Sequence, residues 1–237
     1  MMTNGSRLIL VLVLVVSASV TTIGSAREQK VAYERMAPLQ QYLMADRNAE
    51  VALARSAAPP AISRDAKVLV LGPRGYETAA EGKNGFVCLV ERSWMAGFAA
   101  PEFWNPKIRS PLCFNPPAAR SIVPSVLKRT ELVLAGTPKE KVSAALVAAF
   151  AQKELPTPLP GALSYMMSKQ QHLNDVGGHW VPHVMFHVPP TDNAEWGANL
   201  PGSPFLAGDP DGPEPIKVFM LPVRTWSDGT PAPDMKM

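Results

Sequence analysis

The sequence predicts an α+β domain: a mainly antiparallel sheet covered by one amphipathic helix, with an N-terminal helical arm and long proline-rich loops. Three observations carry this. Short apolar runs bounded by turn residues recur from Lys67 onward. One segment, "TPKEKVSAALVAAFAQKEL", has a clear helical period. No strand–helix–strand alternation repeats, which argues against a parallel α/β sheet. The chain has 25 prolines among 237 residues, yet 46% of it is hydrophobic. That balance reads as many fixed loops rather than disorder.

The chain opens as a leader. Arg7 is the sole charge before residue 27, and the apolar run Leu8–Val16 follows it. Small and polar residues then end at Gly24 and Ala26, the pattern of a secretory signal peptide cleaved after Ala26. The alternative is an uncleaved anchor, but the run is about half the roughly 20 residues a spanning helix needs. The expected organisation is a signal peptide over 1–26, a helical arm over 27–58 and one α+β domain over 59–237. The expected location is exported, periplasmic or secreted, with no stable membrane span after cleavage.

Residues 27–57 read as helix, with Val31, Met36 and Leu39 at helical steps. Pro38 interrupts it, Asp46 caps a second segment carrying Val51 and Leu53, and Pro59-Pro60 end the arm. "KVLVLG" reads as a strand, "GPRGYETAAEGKNG" as a loop or a loop with an irregular strand, and "GFVCLVERSW" as a second strand. A long aromatic loop follows over 95–117, and "RTELVLAG" reads as a strand. In the amphipathic helix, Thr137 is the expected N-cap, Pro138 the first helical residue and Glu140 the capping-box partner. Val142, Leu146, Val147 and Phe150 form its apolar stripe. "ALSYMMS", "HWVPHVMFHV" and "IKVFMLPV" are the remaining strands.

Charge and cysteine use bound the function. Lys and Arg total 23 against 20 Asp and Glu, a formal net charge of +3. No basic block interleaves with aromatics, which disfavours nucleic acid as a partner. Two cysteines in an exported chain suggest a Cys88–Cys113 disulfide. G-x-S-x-G, H-E-x-x-H and C-x-x-C motifs are all missing.

Three of the four histidines, His179, His183 and His187, recur at four-residue steps. As a strand, this stretch puts Trp180, Val184, Phe186 and Val188 on a core face. The histidines then face outward or into a cleft. Symmetric closure on "GALSYMMSK" sets Tyr165 opposite His183 and Lys169 opposite His179. Four strand residues span about 13 Å, so His179 and His183 cannot share one ion in this geometry. A short helix from Pro182 would align His183 with His187 instead. A divalent metal would therefore need one of these histidines, such as His179, with ligands from the loop or another strand: His172, Asp175 or Glu91.

The leading expectation is a small-molecule ligand held by Trp94, Trp104 and His183, where the aromatic loop meets the histidine face. The alternative is a histidine-dependent hydrolase or lyase using His183 or His179, oriented by Glu91, Asp175 or Tyr165, with a metal in one version. A third is an interaction protein of the cell envelope that uses the arm as its contact. The oligomeric state and the identity of any cofactor are left open.

Overall fold

The computed structural model describes residues 33–208 and 212–233, together with Met1. The leader and its Gly24/Ala26 pair, and residues 27–32 of the expected helix, lie outside the described residues. From Ala32 onward the chain forms one compact unit.

One eight-stranded sheet organises this unit: β1 (Lys67–Gly72), β2 (Gly75–Ala80), β3 (Val87–Glu91), β4 (Ser110–Phe114), β5 (Leu163–Met166), β6 (His183–Val188), β7 (Leu206–Ala207) and β8 (Lys217–Pro222). Its order is β2-β1-β3-β4-β5-β6-β8-β7. Only the β1–β3 pair is parallel; the other ladders are antiparallel. The α+β class therefore holds.

Helices lie on both faces. Asp46 caps α1 (Arg47–Arg55) by accepting from the Asn48 amide at 2.8 Å, as its short acceptor side chain allows. Leu53 and Ala54 of α1, with Ala57, pack on Val68, Val70, Cys88 and Cys113. The arm is thus part of the domain core, and no structural boundary falls at residue 58. A single turn, α2 (Pro60–Ser63), follows, started by the prolines expected to stop the helix.

The opposite face carries α3 (Pro116–Ser121), capped by Asn115, and α4 (Val123–Leu134). Ala118, Ile122, Val123 and Val126 pack there on Leu89, Leu112, Phe114 and Met166. The helix α5 (Lys139–Ala151) does not cover the sheet alone. Its Val142, Leu146, Ala149 and Phe150 join Val133 of α4 and the loop aromatics Trp94, Phe103 and Trp104 in a separate cluster.

Several local expectations are corrected. "RTELVLAG" is not a strand, because Arg129–Leu134 completes α4 with Val126, Thr130 and Val133 on its buried side. Thr137 does not cap α5; Pro138 occupies that position without a side-chain bond. The segment after β1, read as a loop or an irregular strand, contains the strand β2, closed by Gly75 at φ 120°, a backbone state that L side chains rarely adopt. The expected long loop contains β4, which the Cys88–Cys113 disulfide staples to β3 at directly opposed positions. Before α1, the described arm holds only the helical turn Leu39–Gln41.

Candidate functional site

Residues that alternate along a strand take opposite faces, and the ladders assign each candidate to a side. Met166, not Tyr165, lies opposite His183, while Tyr165 lies opposite Val184. The one-residue difference from symmetric closure turns Tyr165 to the other face, beside Phe86. Its cause is the connection over 167–182, which is no simple turn. Met167 N donates to Ala57 O at 2.9 Å, and an isolated bridge joins Arg109 to His172. Lys169 leaves the hairpin and pairs with Asp228 at 2.9 Å instead of facing His179.

The histidine face is also reversed in its surroundings. His183 is 2% exposed and His187 7% exposed, and His187 lines the same cavity as Ile122 and Val126 of the helical layer. The strand itself starts only at His183. His183 Nδ1 bonds the Val181 carbonyl at 2.8 Å, its ring rests on Trp180, and burial lowers its pKa. His179 is exposed and sits edge-on to Trp226.

His172 and Asp175 do meet, at 3.4 Å. Asp175 also accepts from Tyr33 and from Lys107 Nζ, and these donors hold its carboxyl down at about 2, with the Tyr33 hydroxyl contributing most. His179 does not join them. Among the described residues, no three His, Cys, Asp or Glu side chains group as a metal site would require.

Trp94 and Trp104 serve the core. Trp94 is fully buried, and its indole donates to Thr130 Oγ1 at 3.0 Å. Trp104 packs edge-on to Phe103. Neither tryptophan meets His183 in a cavity.

A different set of residues does enclose a cavity, of about 280 Å³, between the sheet and α4. Leu112, Phe114 and Met185 form its floor, and Ile122 and Val126 its roof. Met95 and Phe98 close one side, and Glu214 and Ile216 another. Glu91 and His187 both line it. Glu91 is on β3 and His187 on β6, three strand spacings of about 4.8 Å across the sheet, and they lie on opposite sides of the Val87–Phe114–Ser164–Met185 line along the strands. The cavity is therefore a slot with these two groups near its opposite ends.

The polar groups of the slot are unequally satisfied. Arg129 is 4% exposed and nearly saturated. Its Nη1 donates to the carbonyls of Trp94 (3.1 Å) and Ala96 (3.2 Å), and its Nη2 to Glu214 at 2.8 Å. Its guanidinium lies 4.3 Å from the Phe98 ring centroid. Burial lowers its pKa against the pull of Glu214 and Glu91. Glu91 has no hydrogen-bond partner among the described residues. Burial pushes its carboxyl up to about 8, against the opposing effect of Arg129. His187 Nε2 meets Ser164 Oγ at 2.9 Å, its Nδ1 has no partner, and burial lowers its pKa to about 4.

Sequence reasoning named Glu91 but missed Arg129, Glu214 and His187 as parts of one site. The available signal was the register of β6, which places Met185 and His187 on one face. No family model, curated protein or solved structure matches this chain.

Proposed function

We propose that the protein binds a small, elongated, mainly apolar molecule in the slot between the sheet and α4. The observation that carries this is a cavity of about 280 Å³ with mainly apolar walls, in which the half-buried Glu91 has no hydrogen-bond partner among the described residues and Arg129 Nε and His187 Nδ1 are buried without one. Ligand sites are commonly concave, mainly apolar and marked by a few convergent polar groups. Buried polar groups without partners are costly, and a ligand that satisfies them recovers that cost.

Met95 and Met185 line the slot and give a direct readout. Saturable shifts of their methyl NMR signals are expected when linear alcohols of increasing length are titrated. Met185→Trp, which fills the slot, should abolish the response. A full titration series that moves neither methyl would end this proposal.

The hydrolase reading stands second. The Ser164–His187 contact resembles a nucleophile–base pair. However, Ser164 is 0% exposed and not part of the slot wall, so a substrate carbonyl has no route to its hydroxyl. The contact-arm reading is weaker still, since no large hydrophobic residue over 33–58 is exposed.

The proposed location is an oxidising compartment reached by export. The Cys88–Cys113 disulfide supports it, because such bonds persist mainly outside the cytosol. No helix among the described residues is long and apolar enough to cross a membrane.

A further inference from the structure

We propose that the Glu91 end of the slot receives the ammonium group of a small aliphatic amine whose chain lies along the apolar floor. This rests on the slot being a binding site, and it goes further by naming the head group.

The argument is one of unspent partners. A carboxylate or phosphate head would need a cation, and the cation nearest Glu91 is Arg129. That guanidinium already carries two carbonyls and Glu214, and a phenyl ring covers it. Only its Nε lacks a partner. At this end an anionic head would find only that single Nε–H unless it displaced Glu214. The carboxyl of Glu91, by contrast, is engaged by no donor among the described residues. It can accept from an ammonium without breaking any bond seen in the structure.

Charge balance agrees. Arg129 and Glu214 neutralise each other at 2.8 Å. Without a ligand, Glu91 remains neutral by keeping its own proton, since burial raises its pKa to about 8. An ammonium ion replaces that proton. Arg129, Glu214 and Glu91 thus add no net charge to the slot in either state, and Lys217, which is buried in the same wall, has a partner of its own. The neighbouring groups fit this exchange. The Tyr76 hydroxyl on β2 is committed to Val90 O at 2.7 Å. Arg92 belongs to the opposite face, where Glu50 holds it at 2.8 Å. Leu112 and Phe114 continue the floor away from this end and suit a methylene chain.

The protons balance. An alkylammonium ion enters from water, Glu91 ionises, and one proton leaves to buffer for each ligand bound. No covalent bond changes.

The test titrates the full chain with hexylamine, hexanol and hexanoate at pH 7, by calorimetry in two buffers of different ionisation heat, while the Met95 and Met185 methyls are followed by NMR. Hexylamine should bind about tenfold or more tighter than hexanol, an advantage one charge-assisted hydrogen bond can supply. Its heat should depend on the buffer, with close to one proton released. In Glu91→Gln the amine-to-alcohol ratio should fall towards one, and Glu91→Asp should restore part of it. Equal binding of hexanol and hexylamine to the native chain would overturn the head-group proposal and leave the slot reading standing. Tightest binding of hexanoate would also overturn it, in favour of Arg129. If none of the three probes moves the methyls, the slot itself is not a site, and both proposals fall.

Discussion

Each face of the sheet buries an arginine–glutamate pair, and the two pairs differ in how completely they are satisfied. On the α1 side, Arg92 and Glu50 meet at 2.8 Å with side-chain exposures of 0% and 2%. Arg92 Nε also donates to Tyr42 O at 2.7 Å, its Nη1 to Val90 O, and Glu50 accepts from Leu71 N at 3.1 Å. That network fastens the arm to the strands and leaves no cavity beside it among those described. On the α4 side, Arg129 and Glu214 border an apolar slot, with Glu91 unpartnered nearby and one Arg129 nitrogen without a bond. A buried pair with every bond made serves the architecture. A pair beside spare polar groups and empty volume marks where a further molecule would complete the set.

The largest expected effect tests the first half of that contrast. Arg92→Met leaves Glu50 buried without its cation and should cost about 3–5 kcal/mol in urea unfolding at pH 7. Adding Glu50→Leu should recover most of the loss. A single variant that unfolds with the native protein would show that the arm is not fastened by this pair.

Next in size is the disulfide, which joins residues 25 apart in sequence. Replacing both cysteines with alanine should lower stability by roughly 3 kcal/mol in the chain-entropy model, read from the shift of the unfolding midpoint. An unchanged midpoint would assign β3–β4 pairing to packing alone.

The slot face should reveal itself through pH. The folded pKa of Glu91, about 8, lies above its ordinary 4.5. Between those values the unfolded chain has lost a proton that the native chain keeps, so this group lowers stability as pH rises through the window. His187 has the opposite sign. Its folded pKa of about 4 lies below 6.5, so its contribution is lost as pH falls from about 6.5 towards 4. Glu91→Gln should flatten the decline above pH 6.5, where His187 no longer opposes it. His187→Gln should extend that decline down to about pH 4.5, because between 4.5 and 6.5 His187 otherwise offsets Glu91. Each slope has a ceiling of about 1.4 kcal/mol per pH unit. Unaltered profiles in both variants would mean that neither group is desolvated.

The smallest effect concerns packing. Met185 borders the slot, whereas Leu89 on the same face is fully buried. Met185→Ala should therefore fall near the lower end, about 2 kcal/mol, of the range for such truncations, and Leu89→Ala higher in it. A reversed order in thermal unfolding would mean that the slot is closed in solution.

Much of the fold was legible because it is encoded locally. "KVLVLG", "VCLVE" and "IKVFMLPV" carry β-favouring apolar runs between turns, Asp46 is a good N-cap, and two cysteines allow only one intramolecular bond. The strand expected at "RTELVLAG" failed for a related reason. Val and Thr favour strands locally, but the spacing of Val123, Val126, Thr130 and Val133 is helical, and packing over the sheet decided it. The candidate site was read only in part. Glu91 stood out as a charge near a strand end, and the histidine stretch was correctly placed on a strand from His183 onward.

By itself, the sequence determined the α+β class, the one possible disulfide, the cap of α1 and the alternation that sets His187 beside Met185. These follow from residue type and spacing over a few positions. Tertiary structure decided which face of β6 is buried, that Tyr165 turns away from His183, and that Glu91, Arg129, Glu214 and His187 share one slot. Those outcomes depend on register across 167–182 and on contacts spanning up to 123 positions, from Glu91 to Glu214. Strand register and cavity formation are settled by the packing of whole elements, and no short stretch of sequence carries that information.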